Sequence, residues 1–179
     1  ASPWSIQLGE KLNALKVPVL ISDTSWYKLA PARMGGIDIH FGGLMHDLEY
    51  GDPDISELNY LLATTEDDHY NTLVCHKLRH TFGSDHVYQI PIHEDESNIQ
   101  HGLTTKDYCA LDDSTEALFE NMMKKYHHGW TFHSTELKET YDLEHFKADN
   151  PEVNTVPFCI VRSSGRVEML GKKKGIPPK

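Results

Sequence analysis

The sequence has no long apolar run, and none approaches the roughly 20 consecutive apolar residues that a membrane-spanning helix needs. No secretory signal peptide is visible either. Hydrophobic residues make up 39% of the 179 residues, and the mean hydropathy is −0.51. These values predict a soluble, folded chain of one domain, or of one domain with a small appendage.

Basic residues and cysteines are also scarce. Lysine and arginine number 17 against 27 aspartates and glutamates, which gives a formal net charge of −10. Non-specific nucleic-acid binding requires a basic surface, so this charge argues against a nucleic-acid partner. The three cysteines, Cys75, Cys109 and Cys159, are odd in number, widely spaced and set among apolar neighbours. We expect buried, reduced thiols, as in a cytoplasmic protein.

Familiar catalytic motifs are missing too, since the sequence holds no nucleophile elbow, P-loop or zinc-protease motif. No residue is therefore assigned a catalytic role, and we predict that the chain is not an enzyme. The 12 histidines include His76 and His80, which share one helix face, but no cysteine or carboxylate at comparable spacing completes a ligand set. We predict no metal site.

What the sequence does contain is an alternation of strand-like and helical segments over residues 1–91. Short apolar segments typical of strands occupy 17–22, 37–41, 60–63 and 86–90, with helical patterns around them. Such alternation predicts a parallel sheet with right-handed crossovers, an α/β fold. A chain of this type usually starts with a strand and a glycine-rich turn. This one starts at a helix, so the first strand is expected to be truncated.

Polar residues follow two of these strands at their carboxyl ends, where ligands bind in open α/β sheets. Asp23 ends the first strand segment, and Thr64 and Thr65 follow the third. Asp67 or Asp68 fits the N-cap of the next helix. Two interpretations stay open from these residues alone: they bind a ligand, or they only form turns and caps.

Three sequence stretches carry a resemblance to a known family: VPVLISD, IHFGG and YLLATTEDDHYNTLVC. Together they resemble the TrkA-N or RCK domain, a Rossmann-like regulator of cation channels and transporters. The phrases ASPWSIQLGEKL, SDTSWYKLAPARMGGI and ATTEDDHYN are most similar to the cytoplasmic C-terminal region of bacterial sodium/proton antiporters. The resemblance covers residues 1–91.

This resemblance implies a nucleotide-sensing regulatory domain of a bacterial monovalent cation/proton antiporter. The implied cofactor is an adenine nucleotide, either AMP or ADP, or NAD. The implied partners are the membrane-embedded transporter portion of the same polypeptide and a second copy in a homodimer, at the cytoplasmic face of the bacterial inner membrane. Two alternatives are an NAD(P)-dependent oxidoreductase fragment and a structural Rossmann-like interaction domain whose cleft binds nothing.

The same resemblance implies roles for single residues. Asp23 matches the acidic residue that binds the ribose hydroxyls of adenosine, at about the usual ~20 residues from the expected glycine loop. Thr64 and Thr65 match positions on the adenosine side of the cleft. The other matched positions are Asp68 and Asn71 at the polar start of the following helix, and Ser2, with Pro3 and Trp4, where the glycine fingerprint belongs.

The glycine fingerprint itself, G-x-G-x-x-G, is absent. Its glycines let a pyrophosphate approach the backbone N–H groups of a helix N-terminus, whereas Pro3 has no N–H and Trp4 is bulky. Three possibilities remain open: the cleft binds AMP or ADP without a closely held pyrophosphate, it binds NAD in a changed pose, or it binds nothing.

After Pro91 the composition changes. Residues 92–101 are polar and acidic and predict a linker, and residues 102–179 predict a smaller α+β unit. In that unit we expect a helix over 114–126 with Ser114 as N-cap, a short strand over 130–133 and partial helix over 135–145. Strands over 157–162 and 167–170 should form a hairpin around Gly165.

Overall fold

The computed structural model describes residues 1–49, 55, 57–91, 117–138, 141–151 and 157–169. Within them the helices are α1 (Pro3–Ala14), α2 (Trp26–Met34), α3 (Leu44–Glu49), α4 (Asp68–Phe82), α5 (Phe119–His127) and α6 (Leu143–Asp149). The strands are β1 (Leu20–Asp23), β2 (Asp38–Phe41), β3 (Leu61–Ala63), β4 (Val87–Gln89), β5 (Cys159–Val161) and β6 (Val167–Met169). The predicted linker 92–101, Cys109 and Ser114 lie outside the described residues.

Local chemistry sets both ends of α1. Ser2 is the N-cap, and its side chain and that of Ser5 bond each other's backbone N–H groups, a capping box, with Pro3 as the first helical residue. At the other end Lys16 adopts a left-handed φ of 64°. Its N–H and that of Val17 bond carbonyls of the last turn, so a lysine occupies the position that glycine usually takes.

The first four strands confirm the α/β alternation, but in two parallel pairs. β1 pairs with β2, from Leu20 opposite Asp38 to Asp23 opposite Phe41. β3 pairs with β4 in the same parallel sense. The strands are shorter than the apolar segments that predict them: β1 starts only after Pro18, which has no N–H to donate to a ladder.

The strands of both pairs pack against helices that lie on the two faces of the sheets. Alternate residues Val19 and Ile21 pack with side chains of α1 and α2, whereas Leu20 packs with the apolar cluster formed by β3, β4 and α4. Leu62 of β3 points the other way and joins the cluster around α1. The cluster around α1 thus covers one side of both pairs, and on the other side Leu20 of β1 reaches the cluster that α4 forms with the second pair.

Gly9 explains how α1 approaches β1 so closely. A Cβ at this position would come within 3.2 Å of the Cδ1 atoms of Ile21 and Ile37. Glycine costs about 1 kcal/mol in a helix interior relative to alanine. The close packing of helix against sheet is the physical reason for glycine here.

The second half of the chain differs in detail from the sequence predictions. α5 begins at Phe119 after its N-cap Leu118, whereas Ser114, the predicted N-cap, lies outside the described residues. Residues 130–133 form no strand; Phe132 instead packs edge-on against Phe158, with ring centroids 5.4 Å apart. The partial helix expected over 135–145 is present at 143–145, where α6 begins after its N-cap Asp142, and residues 135–138 are not helical. The start of α6 is set by the side chain of Asp142, which accepts from the N–H groups of Glu144 and His145, and not by the spacing of apolar residues.

The hairpin of β5 and β6 is confirmed. The two strands pair antiparallel, and Gly165 takes a left-handed φ of 81° in the turn between them. Arg162 and Glu168 form an ion pair of 2.9 Å across the hairpin. Trp4 and Leu8 of α1, Ile90, and Val167 and Met169 of β6 meet in one buried cluster, so the two halves of the chain share a core.

The described cysteines are free thiols in apolar surroundings, and burial raises the pKa of Cys75 to about 12 and that of Cys159 to about 11. The neutral thiol is favoured in the folded chain, so at pH 8 far fewer thiolates exist than after unfolding, where the pKa is 9.0. We expect iodoacetamide at pH 8 to alkylate both at least tenfold more slowly in the native chain than in urea, as read by peptide mass spectrometry. Equal rates would contradict their burial.

Candidate functional site

The candidate site lies at the carboxyl ends of β1 and β3, where the sequence predicts it. Asp23 is the last residue of β1, and Thr64 and Thr65 directly follow β3. The first turn of α4 comes next, and Tyr70 in that turn is close enough to Asp23 for the carboxylate charge to affect it. Burial first, and then the negative charge of Asp23, raise the pKa of the Tyr70 hydroxyl. Leu20 of β1 and Tyr70 also pack against the same apolar cluster of β3, β4 and α4, so the two strand pairs are neighbours on this side.

The carboxylate of Asp23 already has two local donors. Its Oδ1 accepts a hydrogen bond of 2.8 Å from the backbone N–H of Ser25, and its Oδ2 is bonded to the ammonium of Ala1. Burial alone would raise the pKa of Asp23, but these hydrogen bonds and the positive charges of Ala1 and Lys28 outweigh it, so the pKa lies below the ordinary value. Asp23 is thus charged at neutral pH. Each oxygen has a second lone pair that can accept from a ligand hydroxyl.

The loop between β3 and α4 is held by Thr65 and Asn71. The Asn71 amide oxygen accepts from the Thr65 backbone N–H at 3.0 Å and from the Thr65 hydroxyl at 2.7 Å. The Asn71 amide nitrogen donates to the Thr65 carbonyl at 2.9 Å. Asn71 is completely buried. Its side chain therefore fixes the loop that follows β3.

Thr64 is the residue of this loop whose side chain is available. It is half-buried, and its hydroxyl makes no hydrogen bond within the part of the chain that the structure describes. Asp67, rather than Asp68, is the N-cap of α4, with its side chain accepting from the Tyr70 N–H at 2.9 Å. Asp68 is the first helical residue and is half-buried beside it.

The residues that match the position of the glycine fingerprint form the start of α1. Ser2 is buried, its hydroxyl and N–H are used in the capping box with Ser5, and Pro3 offers no N–H. Trp4 points into the shared core. The donors that would hold a pyrophosphate at a helix N-terminus are therefore mostly engaged or lacking.

Two features of this region were not found from the sequence. Tyr70 lies within the quoted stretch ATTEDDHYN, but a helix pattern alone does not show which side of the first turn faces β1. Gln89 at the carboxyl end of β4 is completely buried beside Ala63, and its amide has no hydrogen-bond partner among the described residues. No local signal in VYQIP separates this glutamine from an exposed strand residue.

The comparisons give no family for this chain: no protein-family model matches it, and no match is found to a curated protein or a solved structure. None of the helices in the described residues has both the length and the apolar composition needed to span a bilayer. Those residues also contain no group of three or more histidine, cysteine or acidic side chains arranged to hold a metal ion. The site is therefore argued from its own geometry.

Proposed function

We propose that this chain is a regulatory domain that senses an adenine mononucleotide, AMP or ADP, at the carboxyl ends of β1 and β3. In this proposal the two parallel pairs belong to one Rossmann-like, doubly wound sheet, and the ligand lies at the point where the order of the strands reverses. The ribose hydroxyls donate to Asp23, and Thr64 bonds the ligand from the opposite side.

The observation that supports the proposal is that the strand ends carrying Asp23 and Thr64 belong to neighbouring strand pairs, since Leu20 of β1 and Tyr70 of α4 pack against one apolar cluster. Polar groups at the carboxyl ends of parallel strands are where ligands bind in an open α/β sheet. The hydroxyl of Thr64, which makes no hydrogen bond to any residue that the structure describes, adds a polar group directly after β3.

A mononucleotide fits the start of α1 better than NAD. A bound pyrophosphate takes its hydrogen bonds from free N–H groups at a helix N-terminus. Here Ser2 and Ser5 bond each other, and Pro3 has no N–H. A ligand with one ribose and no bridging pyrophosphate needs the fewest hydrogen bonds from the N–H groups at the start of α1.

The wider role rests on the sequence resemblance. We infer that the domain belongs to a bacterial monovalent cation/proton antiporter or a related cation transport system and acts at the cytoplasmic face of the membrane. Nucleotide binding would favour one arrangement of a domain dimer and so bias the attached transporter. Such control requires different nucleotide affinities in the two arrangements.

One observation favours a second candidate, an interaction domain whose cleft is empty of ligand. The Oδ1 of Asp23 already accepts from the backbone N–H of Ser25, two residues further on. This contact is that of a turn residue, a common role of aspartate after a strand. Ligand binding decides between the two candidates.

Thermal unfolding with AMP, ADP, ATP, NAD and NADH tests the proposal. We expect AMP or ADP at 100 times the Kd to raise the Tm by several degrees, because such occupancy adds about 2.7 kcal/mol to the free energy of unfolding. Asp23→Asn keeps an oxygen for the Ser25 N–H but removes the charge, so the ligand-induced rise in Tm should fall by at least half.

The matched control is Asp38→Asn, which removes the same charge from an exposed residue at the amino end of β2, the opposite edge of the sheet. It should leave the nucleotide response unchanged. A wild-type chain whose Tm responds to none of the five nucleotides would favour the interaction domain and end the sensing proposal.

A further inference from the structure

Two aromatic rings form a corner beside Asp23. Trp26 is the first residue of α2 and Phe41 is the last residue of β2. Their ring centroids are 5.7 Å apart and their planes meet at 88°. The side chains are large and apolar, yet they remain 50% and 56% exposed. We call this pair the aromatic corner.

The register of the sheet ties the corner to the carboxylate. Phe41 is directly opposite Asp23 in the β1–β2 ladder, so the two side chains leave the sheet next to each other. Trp26 follows Asp23 by three residues, after the turn in which Asp23 accepts from the Ser25 N–H. A charged acceptor and two perpendicular aromatic walls thus occupy one edge of the sheet.

The corner is also held in place. The guanidinium carbon of Arg33 lies 5.7 Å from the ring centroid of Trp26, a cation–π contact made from two turns further along α2. One side of the indole is thereby occupied by protein. The ring loses little freedom when a second flat group approaches, which lowers the entropic cost of binding.

We propose that the aromatic corner is the base-binding subsite, where a purine stacks on one ring and meets the edge of the other. The inference rests on the proposed nucleotide site and names its specificity element. A ribose held at Asp23 carries its base only one glycosidic bond away, within reach of Phe41. Aromatic faces bind any base by stacking, and a purine offers the larger surface.

Paired affinity measurements with AMP and ribose 5-phosphate test this subsite, because only AMP carries a base. By calorimetry, Phe41→Leu and Trp26→Leu should each weaken AMP binding roughly tenfold, because each removes one of the two aromatic contacts of the base. The Kd of ribose 5-phosphate should change less than twofold. AMP should quench tryptophan fluorescence in the wild-type chain, and Trp26→Phe should remove that quenching while retaining a stacking face.

The matched control is Tyr27→Leu, which alters the neighbouring aromatic residue of α2, 90% exposed and outside the corner. It should leave both affinities unchanged. Wild-type AMP binding in the Phe41 and Trp26 variants would overturn the subsite and leave the nucleotide proposal intact. Equal losses for AMP and ribose 5-phosphate would also overturn it, because the variants would then act on the ribose site. Failure of the wild-type chain to bind either compound would overturn both proposals.

Discussion

Replacing Trp4 by alanine should lower the free energy of unfolding by about 3–5 kcal/mol, the largest loss expected from a single substitution in this chain. Trp4 is almost fully buried, and it packs with Leu8, Ile90 and two residues of β6. Removal of the indole leaves a cavity between elements that are distant in sequence. Those elements cannot close over it without moving α1 from the sheet.

Urea unfolding followed by circular dichroism measures this loss. Trp4→Phe should cost much less than Trp4→Ala, because the phenyl ring fills most of the volume and removes an indole N–H that has no hydrogen-bond partner among the described residues. The control is Trp130→Ala, a partly exposed tryptophan whose ring lies under Lys125. It should cost about 1 kcal/mol or less. Equal effects at positions 4 and 130 would show that Trp4 is not part of a packed core.

Replacing Asn71 by alanine should lower the free energy of unfolding by about 2–4 kcal/mol, because two backbone groups of Thr65 lose their partners and each costs about 1–3 kcal/mol when left unpaired. The methyl group of alanine also leaves space beside the start of α4. The same change should weaken nucleotide binding, since it frees the loop that carries Thr64.

A double-mutant cycle separates the three hydrogen bonds of Asn71. Of these three bonds Thr65→Val removes only the one to the hydroxyl, together with the two bonds of that hydroxyl to the Asp67 backbone, whereas Asn71→Ala removes all three. The two losses should not add, and the coupling should be about 0.5–3 kcal/mol, the range for side chains in direct contact. Additive losses would mean that Thr65 and Asn71 do not act together. A nucleotide affinity unchanged in Asn71→Ala would remove the loop from the site.

The parts of the fold that local chemistry controls could be predicted from sequence. Ser2 and Pro3 start α1, Asp67 caps α4, and Gly36 with its left-handed φ of 75° ends α2. Each of these depends on backbone groups only a few residues away. The alternation of strands and helices is likewise a matter of local pattern, so the edge that carries Asp23 and Thr64 could be located.

The errors concern pairing and packing between distant segments. Residues 130–133 alternate like a strand, but a strand needs a partner, and Phe132 packs on Phe158 instead. Trp4 could be placed near a binding loop by resemblance, but its burial depends on β6, more than 160 residues away. The position of Tyr70 relative to β1 and the aromatic corner likewise depend on which helix face packs on the sheet.

The cluster around Trp4 limits how the chain can be shortened. A version ending at Pro91 would keep α1 and the two parallel pairs but lose Ala117, Val167 and Met169 from that cluster. The indole would then contribute to an apolar surface open to water, and such surfaces promote association. The hairpin of β5 and β6 therefore covers the apolar side of α1, and α1 is best studied in a chain that includes this hairpin.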